Sequence, residues 1–296
     1  MSVAATKLSV AFLGLGVMGG GMARRLAEAG IPLAVFNRDR AKTKPLSSVG
    51  ARVAETPRQA AAAASVVISM VADDHASRAI WLGPEGALAG AAKGSVCIES
   101  STVTLDWVRE LAAAAAERGC QFLDAPVTGS KVHAASGELT FLVGGPSETL
   151  EKVRPVLAIM SKALVPAGPV GSGAMIKLIN NFVCGVQVAS LAEALVMIER
   201  SGLERARVLE VLTNGAPGSP LVKLVAARMT AGDYTPNFAL RLMAKDLGYA
   251  IREAEKLGLE LQTAASALAR FQQGQSAGLS DKDMAAVIDV LKRERG

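Results

Sequence analysis

Apolar and polar positions alternate in two patterns over roughly the first 165 residues. Short apolar runs such as 65-SVVISMV-71 and 139-LTFLVGG-145 are rich in β-branched residues and apolar on both faces, as buried parallel strands are. Ala-rich stretches of helical periodicity, such as 106-DWVRELAAAAAERG-119, lie between them. This alternation predicts an α/β domain with a Rossmann-type doubly wound sheet. The other expected strands are 8–14, 32–37, 95–100 and 121–127, and the other expected helices are 18–30 and 56–64.

The pattern changes at 164-LVPAGPVGSG-173, which is dense in Pro and Gly and predicts a hinge. Beyond it only helical periodicity is found, so the second domain is expected to be all-α and entered through a long interdomain helix. We expect residues 1–168 to form the cofactor-binding domain and residues 169–296 the helical domain for substrate binding and oligomerisation. The expected helices are approximately 173–201, 204–213, 219–230, 239–257, 260–274 and 281–294.

A GxGxxG motif, Gly14, Gly16 and Gly19, follows the first expected strand and opens the first expected helix. In this context the pattern predicts a dinucleotide site. The first glycine permits a tight turn, the second lets the backbone approach a pyrophosphate, and the third lets helix and strand pack closely. The diphosphate would lie against the helix N-terminus. The residues between the glycines, Leu15, Val17 and Met18, are expected to contact the cofactor as well.

The second strand ends in 35-VFNRDR-40, where an NAD-preferring site usually carries an acid for the ribose 2′-hydroxyl. Asn37 takes that position and Arg38 follows it. An amide and a guanidinium would bind a 2′-phosphate that a carboxylate would repel, so the sequence favours NADP(H) over NAD(H). An ordinary charged surface loop is the alternative, and Asp39 partly offsets the arginine.

The stretch 171-GSGAMIKLINNF-182 places a lysine in an apolar run. On a helix, Gly173, Lys177, Asn180 and Asn181 share one face. This stripe has two interpretations. It is either a snorkelling surface lysine with polar neighbours, or a positioned proton donor with its orienting partners.

Composition narrows the class of protein. Half of the 296 residues are hydrophobic and 20% are charged, which excludes a disordered chain. The net charge is +5, but 4% aromatic content and the single dense basic run, 292-KRERG-296, give little support for a nucleic-acid partner. Three dispersed cysteines and two histidines suggest neither a disulfide framework nor a metal site. No uninterrupted apolar run reaches membrane-spanning length, so we expect a cytoplasmic protein without a membrane partner.

Three segments together resemble the β-hydroxyacid dehydrogenase family over essentially the whole chain. They are the glycine motif, 123-LDAPVTGSKVHAASGEL-139 and 171-GSGAMIKLINN-181. The family includes 3-hydroxyisobutyrate dehydrogenase, tartronate semialdehyde reductase and the glyoxylate/succinic semialdehyde reductases. Imine reductases share the scaffold but generally lack the lysine, and a chromatin-associated relative that lost it works as a scaffold.

The resemblance implies a role for each matching residue. Lys177 would be the proton donor and acceptor, with Asn181 as its neighbour. Thr128, Gly129 and Ser130 would bind the substrate carboxylate, although Thr128 replaces a serine and Ser130 a common glycine. Phe238 would close over the substrate and Asp246 would assist at the site. Contacts to the cofactor would come from Met70, Val71, Thr102 and Lys245.

The resemblance therefore implies reduction of small carboxylate-bearing aldehydes, of the glyoxylate/succinic semialdehyde type, to hydroxy acids. The G-S-K of 129–131 favours this branch, whereas 139-LTFLVGG-145 resembles the hydroxyisobutyrate branch, so 3-hydroxyisobutyrate and tartronate semialdehyde chemistry remain alternatives. A homodimer or homotetramer is also implied. The apolar stretch 182–198 supports it, because one flank cannot hide that much hydrophobic surface.

Overall fold

The computed structural model describes residues 8–293, the last of them by its backbone alone, so most of the basic run 292–296 lies outside the described residues. The chain forms two compact units, Met1–Lys177 and Leu178–Gly296. The first contains a nine-stranded sheet, and the described elements of the second are helical.

The sheet of the first unit confirms the predicted doubly wound architecture. Its strand order is β3-β2-β1-β4-β5-β6-β8-β7, with β9 also paired to β8. The pairings from β3 to β6 are parallel, whereas β8 runs antiparallel to β6 and β7. The strands are β1 Val10–Leu13, β2 Leu33–Phe36, β3 Arg52–Val53, β4 Val66–Ser69, β5 Val96–Glu99, β6 Gln121–Asp124, β7 Val127–Thr128, β8 Leu139–Gly144 and β9 Ser161–Gly168.

Strand β1 pairs with both β2 and β4. The chain adds β2 and β3 on one side of β1 and then β4, β5 and β6 on the other, so the strand order changes direction at β1. In open parallel sheets of this kind, ligands bind beyond the carboxyl ends of the strands at such a switch point. The predicted glycine motif directly follows β1 and therefore lies at this point. The core beneath it is formed by apolar side chains of successive strands, among them Phe12, Ile68, Ile98, Leu123 and Phe141.

One predicted feature of this region is wrong. The first half of the Pro/Gly-rich segment is not a hinge but the strand β9, which pairs in parallel with β8 and places Pro166 opposite Val143. Proline is tolerated there because β9 is an edge strand that pairs only with β8 among the described strands. The N–H that Pro166 lacks is therefore not needed by a strand on the other side.

Helices connect the strands of the first unit, and three of them lie close to the expected helices 18–30, 56–64 and 106–119. Several begin with a side chain that accepts from a backbone N–H, such as Thr104 from Trp107. The helices are α1 Val17–Glu28, α2 Lys44–Ser47, α3 Pro57–Ala61, α4 Asp74–Trp81, α5 Ala87–Gly90, α6 Leu105–Glu117, α7 Lys131–Ser136 and α8 Ser147–Ala158, with a 3₁₀ helix at Arg40–Thr43.

The long helix α9, Ser172–Ser201, follows β9 without a break longer than a turn. It is the one helix of residues 8–293 that is long and apolar enough to cross a membrane, and half of its most apolar window is buried. Core helices of water-soluble proteins have the same character, so this is weak support for a membrane span.

The second unit packs its helices around an apolar core that includes Leu195, Val225, Met243, Leu247 and Phe271. The sequence predicts these helices to within about two residues, except that the last is a 3₁₀ turn followed by a short α-helix. They are α10 Arg205–Asn214, α11 Pro220–Ala231, α12 Leu240–Lys256, α13 Gln262–Ser276, the 3₁₀ helix Met284–Val287 and α14 Ile288–Arg293.

Candidate active site

The three glycines of the phosphate-binding turn have different surroundings. Gly14 has φ of +97°, and a Cβ atom there would lie 2.4 Å from the carbonyl oxygen of Met70. A Cβ atom on Gly19 would lie 2.1 Å from the carbonyl oxygen of Gly14, so α1 packs directly on the turn. A Cβ atom on Gly16 would meet no other part of residues 8–293 within 4 Å. The backbone beside Gly16 is therefore open to a ligand.

The N-terminus of α1 is suited to an anion. Gly16 is the N-cap residue and supplies no side-chain cap, and the first turn of the helix carries no acidic residue. The first N–H groups and the positive end of the helix dipole are thus directed at the open space. Val17 is exposed and Met18 is partly buried against the core. These features fit the pyrophosphate of a dinucleotide.

Asn37, at the end of β2, is part of the turn itself. Its Oδ1 accepts from the N–H of Leu15 at 2.8 Å, and its Nδ2 donates to the carbonyl oxygen of Asp39 at 2.8 Å. The side chain of Leu15 is buried, so both its side chain and its N–H are used within the protein. Asn37 therefore stabilises the conformation of the glycine loop as well as replacing the usual acid.

The charged side chains that follow Asn37 have distinct partners. The Asp39 carboxylate accepts from the N–H of Ala41 at 3.0 Å and caps the short 3₁₀ helix. Arg40 forms an ion pair with Glu55. Arg38 is exposed. Asp39 and Arg40 thus have structural partners, and Arg38 is an exposed cation directly after Asn37.

The ends of β4 and β5 are joined by hydrogen bonds beneath the residues predicted to contact the cofactor. The N–H of Val71 donates to Ser101 Oγ at 2.8 Å, and the N–H of Ser101 donates to Glu99 Oε1 at 2.8 Å. Met70 and Thr102 flank these residues and are partly exposed. The structure therefore brings the predicted residues of the two strand ends together.

Glu99 is a buried carboxylate that was not among the predicted site residues. It accepts from Trp81 Nε1 at 2.9 Å and from the hydroxyl of Ser77, which in turn accepts from Trp107 Nε1 at 2.7 Å. The sequence signal for it is the acid that ends a strand just before the S-T loop. Its side-chain partners, Ser77 and Trp81, lie on α4, 22 and 18 residues earlier in the chain, and could not be read from local spacing.

The segment predicted to bind the substrate carboxylate is a loop held by close packing and by hydrogen bonds. Gly129 has φ of +134°, and a Cβ atom there would lie 2.8 Å from Leu139 Cδ2. The N–H of Ser130 donates to His133 Nδ1 at 3.0 Å, and Ser130 Oγ lies 2.9 Å from the same nitrogen. This capping box begins α7. The N–H of Ser130 is therefore already bonded, while Thr128 is partly exposed.

The polar stripe of α9 is more buried than the apolar positions Ile176, Ile179 and Val183 beside it. The adjacent apolar side chains are exposed: 38% for Ile176, 53% for Ile179 and 45% for Val183. A snorkelling surface lysine would show the reverse arrangement. In the polar stripe, Gly173 and Asn181 are buried and Lys177 and Asn180 are half-buried.

In the second unit, Asn181 and Asp246 form one network. Asn181 Nδ2 donates to Asp246 Oδ2 at 2.6 Å, and Asn180 Nδ2 donates to Asn181 Oδ1 at 3.0 Å. Lys245 Nζ lies 3.0 Å from Asp246 Oδ1 and 4.8 Å from the centre of the Tyr249 ring. The buried carboxylate of Asp246 thus orients the Asn181 amide and pairs with the Lys245 ammonium.

Phe238 directly precedes α12 and is held through its backbone. Its N–H donates to the buried Asp283 carboxylate at 3.1 Å, and its carbonyl oxygen accepts from the N–H of Met284 at 2.8 Å. The ring is partly buried against the second core.

No set of three or more His, Cys, Asp or Glu side chains within residues 8–293 could hold a metal ion. Cys97 and Cys120 are buried free thiols. The hydrogen bond that the Cys97 thiol donates to Cys120, and next its burial, raise the pKa of Cys97.

Comparison with known proteins agrees with this geometry. Residues 9–169 match the family profile described as the NAD binding domain of 6-phosphogluconate dehydrogenase. Residues 171–291 match the profile for the NAD-binding region of NADP-dependent 3-hydroxyisobutyrate dehydrogenase. The two matches together span most of both units.

Three individual proteins are similar over nearly the whole chain. Glyoxylate/succinic semialdehyde reductase 2 of Arabidopsis thaliana is 35% identical over 96% of this chain and 80% of its own length. The 3-hydroxyisobutyrate dehydrogenase of Pseudomonas aeruginosa is 37% identical over 88% of this chain and 89% of its own. The structure of Mycobacterium tuberculosis 3-hydroxyisobutyrate dehydrogenase with L-serine has a TM-score of 0.87 at 32% identity and covers 97% of this chain and 100% of its own. The chain belongs to the β-hydroxyacid dehydrogenase family and is an NAD(P)-dependent oxidoreductase.

Proposed function

We propose that this enzyme uses NADP(H) to reduce small carboxylate-bearing aldehydes, of the glyoxylate or succinic semialdehyde type, to hydroxy acids. The observation that carries the proposal is the neutral Asn37 followed by the exposed Arg38 at the end of β2, which favours NADP(H). The Thr128–Ser130 loop supports the substrate class. The similarity to an Arabidopsis thaliana protein named glyoxylate/succinic semialdehyde reductase supports the substrate class.

The preference for NADP(H) follows from charge. Asn37 is neutral, and its amide oxygen is bonded to the N–H of Leu15, so no carboxylate from this position repels a 2′-phosphate. Asp39 is used as a helix cap and Arg40 is paired with Glu55. Arg38 is the exposed cation that a 2′-phosphate would meet, and a guanidinium binds phosphate with paired hydrogen bonds.

The cofactor, when bound, supplies hydride to the aldehyde carbon. As negative charge grows on the aldehyde oxygen, the Lys177 ammonium stabilises that charge and donates the proton; in oxidation the amine takes it back. Asn181 adds a neutral hydrogen-bonding group one turn further along α9. The Thr128 hydroxyl and the backbone of Gly129 would hold the substrate carboxylate, and Phe238 would cover the substrate.

Two candidates from the same family compete with this assignment, 3-hydroxyisobutyrate oxidation and tartronate semialdehyde reduction. The similarity to a Pseudomonas aeruginosa 3-hydroxyisobutyrate dehydrogenase favours the first of them. A non-catalytic dinucleotide-binding scaffold is a remote alternative. The half-buried Lys177 and the open phosphate-binding turn together argue against it, because a scaffold without catalysis does not need the lysine.

A substrate panel tests the assignment. The purified protein is mixed with NADPH or NADH and with glyoxylate, succinic semialdehyde or tartronate semialdehyde, and oxidation of the reduced cofactor is followed by absorbance. The reverse direction is measured with 3-hydroxyisobutyrate. We expect the largest kcat/KM for NADPH with glyoxylate or succinic semialdehyde. A larger value for 3-hydroxyisobutyrate would transfer the protein to that branch, and no turnover with any of them would support the scaffold.

Arg38→Ala tests the cofactor preference. Loss of a hydrogen bond to a charged group should weaken NADPH binding by about 1.5–3 kcal/mol and leave NADH binding nearly unchanged. Arg24→Ala is the matched control, because Arg24 is an exposed arginine of α1 that pairs with Glu28. Equal losses for NADPH and NADH in Arg38→Ala would show that Arg38 stabilises the fold and does not discriminate.

We further propose that residues 169–296 serve substrate binding and oligomerisation, and that the enzyme is a cytoplasmic homodimer or homotetramer. Exposed apolar side chains such as Val183 and Met197 on α9 support an interface between subunits. Light scattering that gives a monomer at micromolar concentration would refute the assembly.

A further inference from the structure

Asp124, the last residue of β6, is fully buried and has no part in the function proposed so far. Its Oδ1 accepts from the N–H of Gly171 at 2.7 Å, and its Oδ2 accepts from the N–H of Ala174 at 2.8 Å. Gly171 immediately precedes α9, and Ala174 lies in its first turn. A carboxylate 47 to 50 residues away in sequence therefore binds the first turn of the helix that carries Lys177.

The surroundings of this carboxylate leave it little room. A Cβ atom on Gly144 would lie 2.4 Å from Asp124 Oδ1. A Cβ atom on Gly173 would lie 2.2 Å from the carbonyl oxygen of Leu142 and 3.0 Å from Asp124 Oδ2. The two glycines let strand β8 and the start of α9 close around the carboxylate. Its position therefore fixes the position of the first turn.

The electrostatic reason for a carboxylate is the N-terminus of a 30-residue helix. The first N–H groups of a helix have no partner within the helix, and together with the positive end of the helix dipole they stabilise an anion at this place. The donors that hold Asp124 are backbone groups of Gly171 and Ala174.

The charged groups on the neighbouring elements are directed elsewhere. Glu99, its neighbour in register on β5, bonds Trp81, Ser77 and Ser101. Strand β8 carries no charged residue, and Lys177 is the first charged residue of α9. On the two helices that pack against β6, the charged residues are Asp106, Arg109, Glu110 and Glu117 of α6, all exposed, and Glu148, Glu151, Lys152 and Arg154 of α8, of which all but the half-buried Arg154 are exposed.

We propose that Asp124 is a positioning residue, which in its ionised form holds the first turn of α9 and thereby fixes Lys177 relative to the Thr128–Ser130 loop. This rests on the proposed function of Lys177. The same residue ends the strand that continues through Ala125 and Pro126 into the loop, so one side chain links the two parts of the site. A displacement of about 1 Å in such an arrangement costs roughly 100-fold in rate.

The proposal has an acid-sensitive signature. Burial raises the pKa of Asp124 to about 6, although the backbone donors partly lower it. Protonation below that pH weakens the hydrogen bonds to the first turn, so kcat should fall. In the unfolded chain Asp124 has its ordinary pKa of 3.8, so the folded protein binds this proton more tightly. Acidification therefore increases the contribution of Asp124 to the free energy of unfolding. Activity and this part of the stability therefore change in opposite directions.

The principal test is Asp124→Asn, in which an amide keeps the shape but places an NH₂ group against a backbone donor. We expect kcat to fall by about 10- to 100-fold while the Kd of NADPH stays within about twofold. In the wild type, kcat should decline below about pH 6, and in Asp124→Asn this decline should disappear. Glu253→Gln is the control, since it neutralises a buried carboxylate that pairs with Lys256, and its kcat should equal that of the wild type.

Normal kcat in Asp124→Asn, or an acid decline that persists in it, would overturn the proposal. If that variant does not fold, hydrogen exchange of the wild-type peptide covering residues 169–176 is measured between about pH 5 and pH 7.5. Local opening of this turn removes the backbone donors that lower the pKa of Asp124 while the carboxyl stays buried, so protonation favours this opening. Protection, corrected for intrinsic rates, should therefore fall as pH is lowered through about 6. Unchanged protection would overturn the proposal too. This measurement needs no substrate, so it separates failure of the Asp124 assignment from failure of the proposed function.

Discussion

The glycine turn provides a matched pair of substitutions whose effects should separate stability from cofactor binding. Gly16 and Gly19 lie in the same motif, yet a Cβ atom would meet nothing in the described chain within 4 Å at Gly16 and would lie 2.1 Å from the carbonyl oxygen of Gly14 at Gly19. The same chemical change, Gly→Ala, therefore has two different physical consequences.

Gly16→Ala should fold normally. Gly16 has φ of −70° and ψ of −163°, a conformation that alanine adopts without strain. The loss at an N-cap position and the gain from a less flexible unfolded chain are each below about 1 kcal/mol and opposite in sign. The added methyl group occupies the space that the pyrophosphate must enter. Overpacking there should cost about 1–3 kcal/mol, which is a rise of roughly 5- to 150-fold in the Kd of NADPH.

Gly19→Ala should instead destabilise the first unit. A methyl group 2.1 Å from a backbone oxygen forces α1 away from the turn, and the neighbouring ring of Phe12 lies at 3.1 Å. We expect a loss of about 1–3 kcal/mol, which corresponds to roughly 2–12 °C in Tm. Fluorescence titration with NADPH and thermal unfolding are measured on both variants. Weakened binding in Gly16→Ala together with an equal loss of Tm in both would refute the separation.

Two further predictions concern hydrogen-bonding partners. Asp246→Asn should lower the free energy of unfolding in urea by about 1.5–3 kcal/mol, because the buried Asn181 amide and the Lys245 ammonium lose a charged acceptor; a change below about 0.5 kcal/mol would contradict this. His133→Ala should raise the KM of the aldehyde by about 2- to 10-fold because the loop loses its capping box, whereas His133→Gln, which can form the same box, should leave KM nearly unchanged. Equal KM values in the two His133 variants would show that the His133 capping box does not influence substrate binding.

The parts of the fold that the sequence predicts are those set by local pattern. Buried strands such as Val66–Ser69 have continuous apolar runs, and the glycine motif has a fixed context between strand and helix. Strand β9 was missed because its prolines and glycines are typical of a loop. Its pairing with β8 depends on tertiary contact and on the tolerance of an edge strand for Pro166.

The candidate site divides in the same way. Lys177 and the glycines are identified by motifs, whereas Asp124 and Glu99 owe their environment to partners distant in sequence. The donors to Asp124 are Gly171 and Ala174, and no spacing rule links them to the end of β6. The orientation of α9 is a further example, since its apolar Ile179 is exposed and its polar Asn181 is buried, the opposite of what composition indicates.

The central claim is that Lys177 supplies the proton, and Lys177→Met tests it most directly. Methionine keeps a long, helix-compatible side chain and removes the charge and the donor, so folding should persist. NADPH should bind with unchanged Kd by fluorescence titration, because the phosphate-binding turn does not depend on this ammonium. Lys177→Arg is the companion variant and should restore little activity, because a guanidinium does not release its proton near neutral pH.

The decisive measurement is kcat of Lys177→Met beside its Kd for NADPH, with the best aldehyde of the panel. We expect intact binding and a fall in kcat of about 10²- to 10⁴-fold, the usual contribution of a positioned acid. Intact binding with a kcat equal to that of the wild type would contradict the account and return Lys177 to the role of a surface residue.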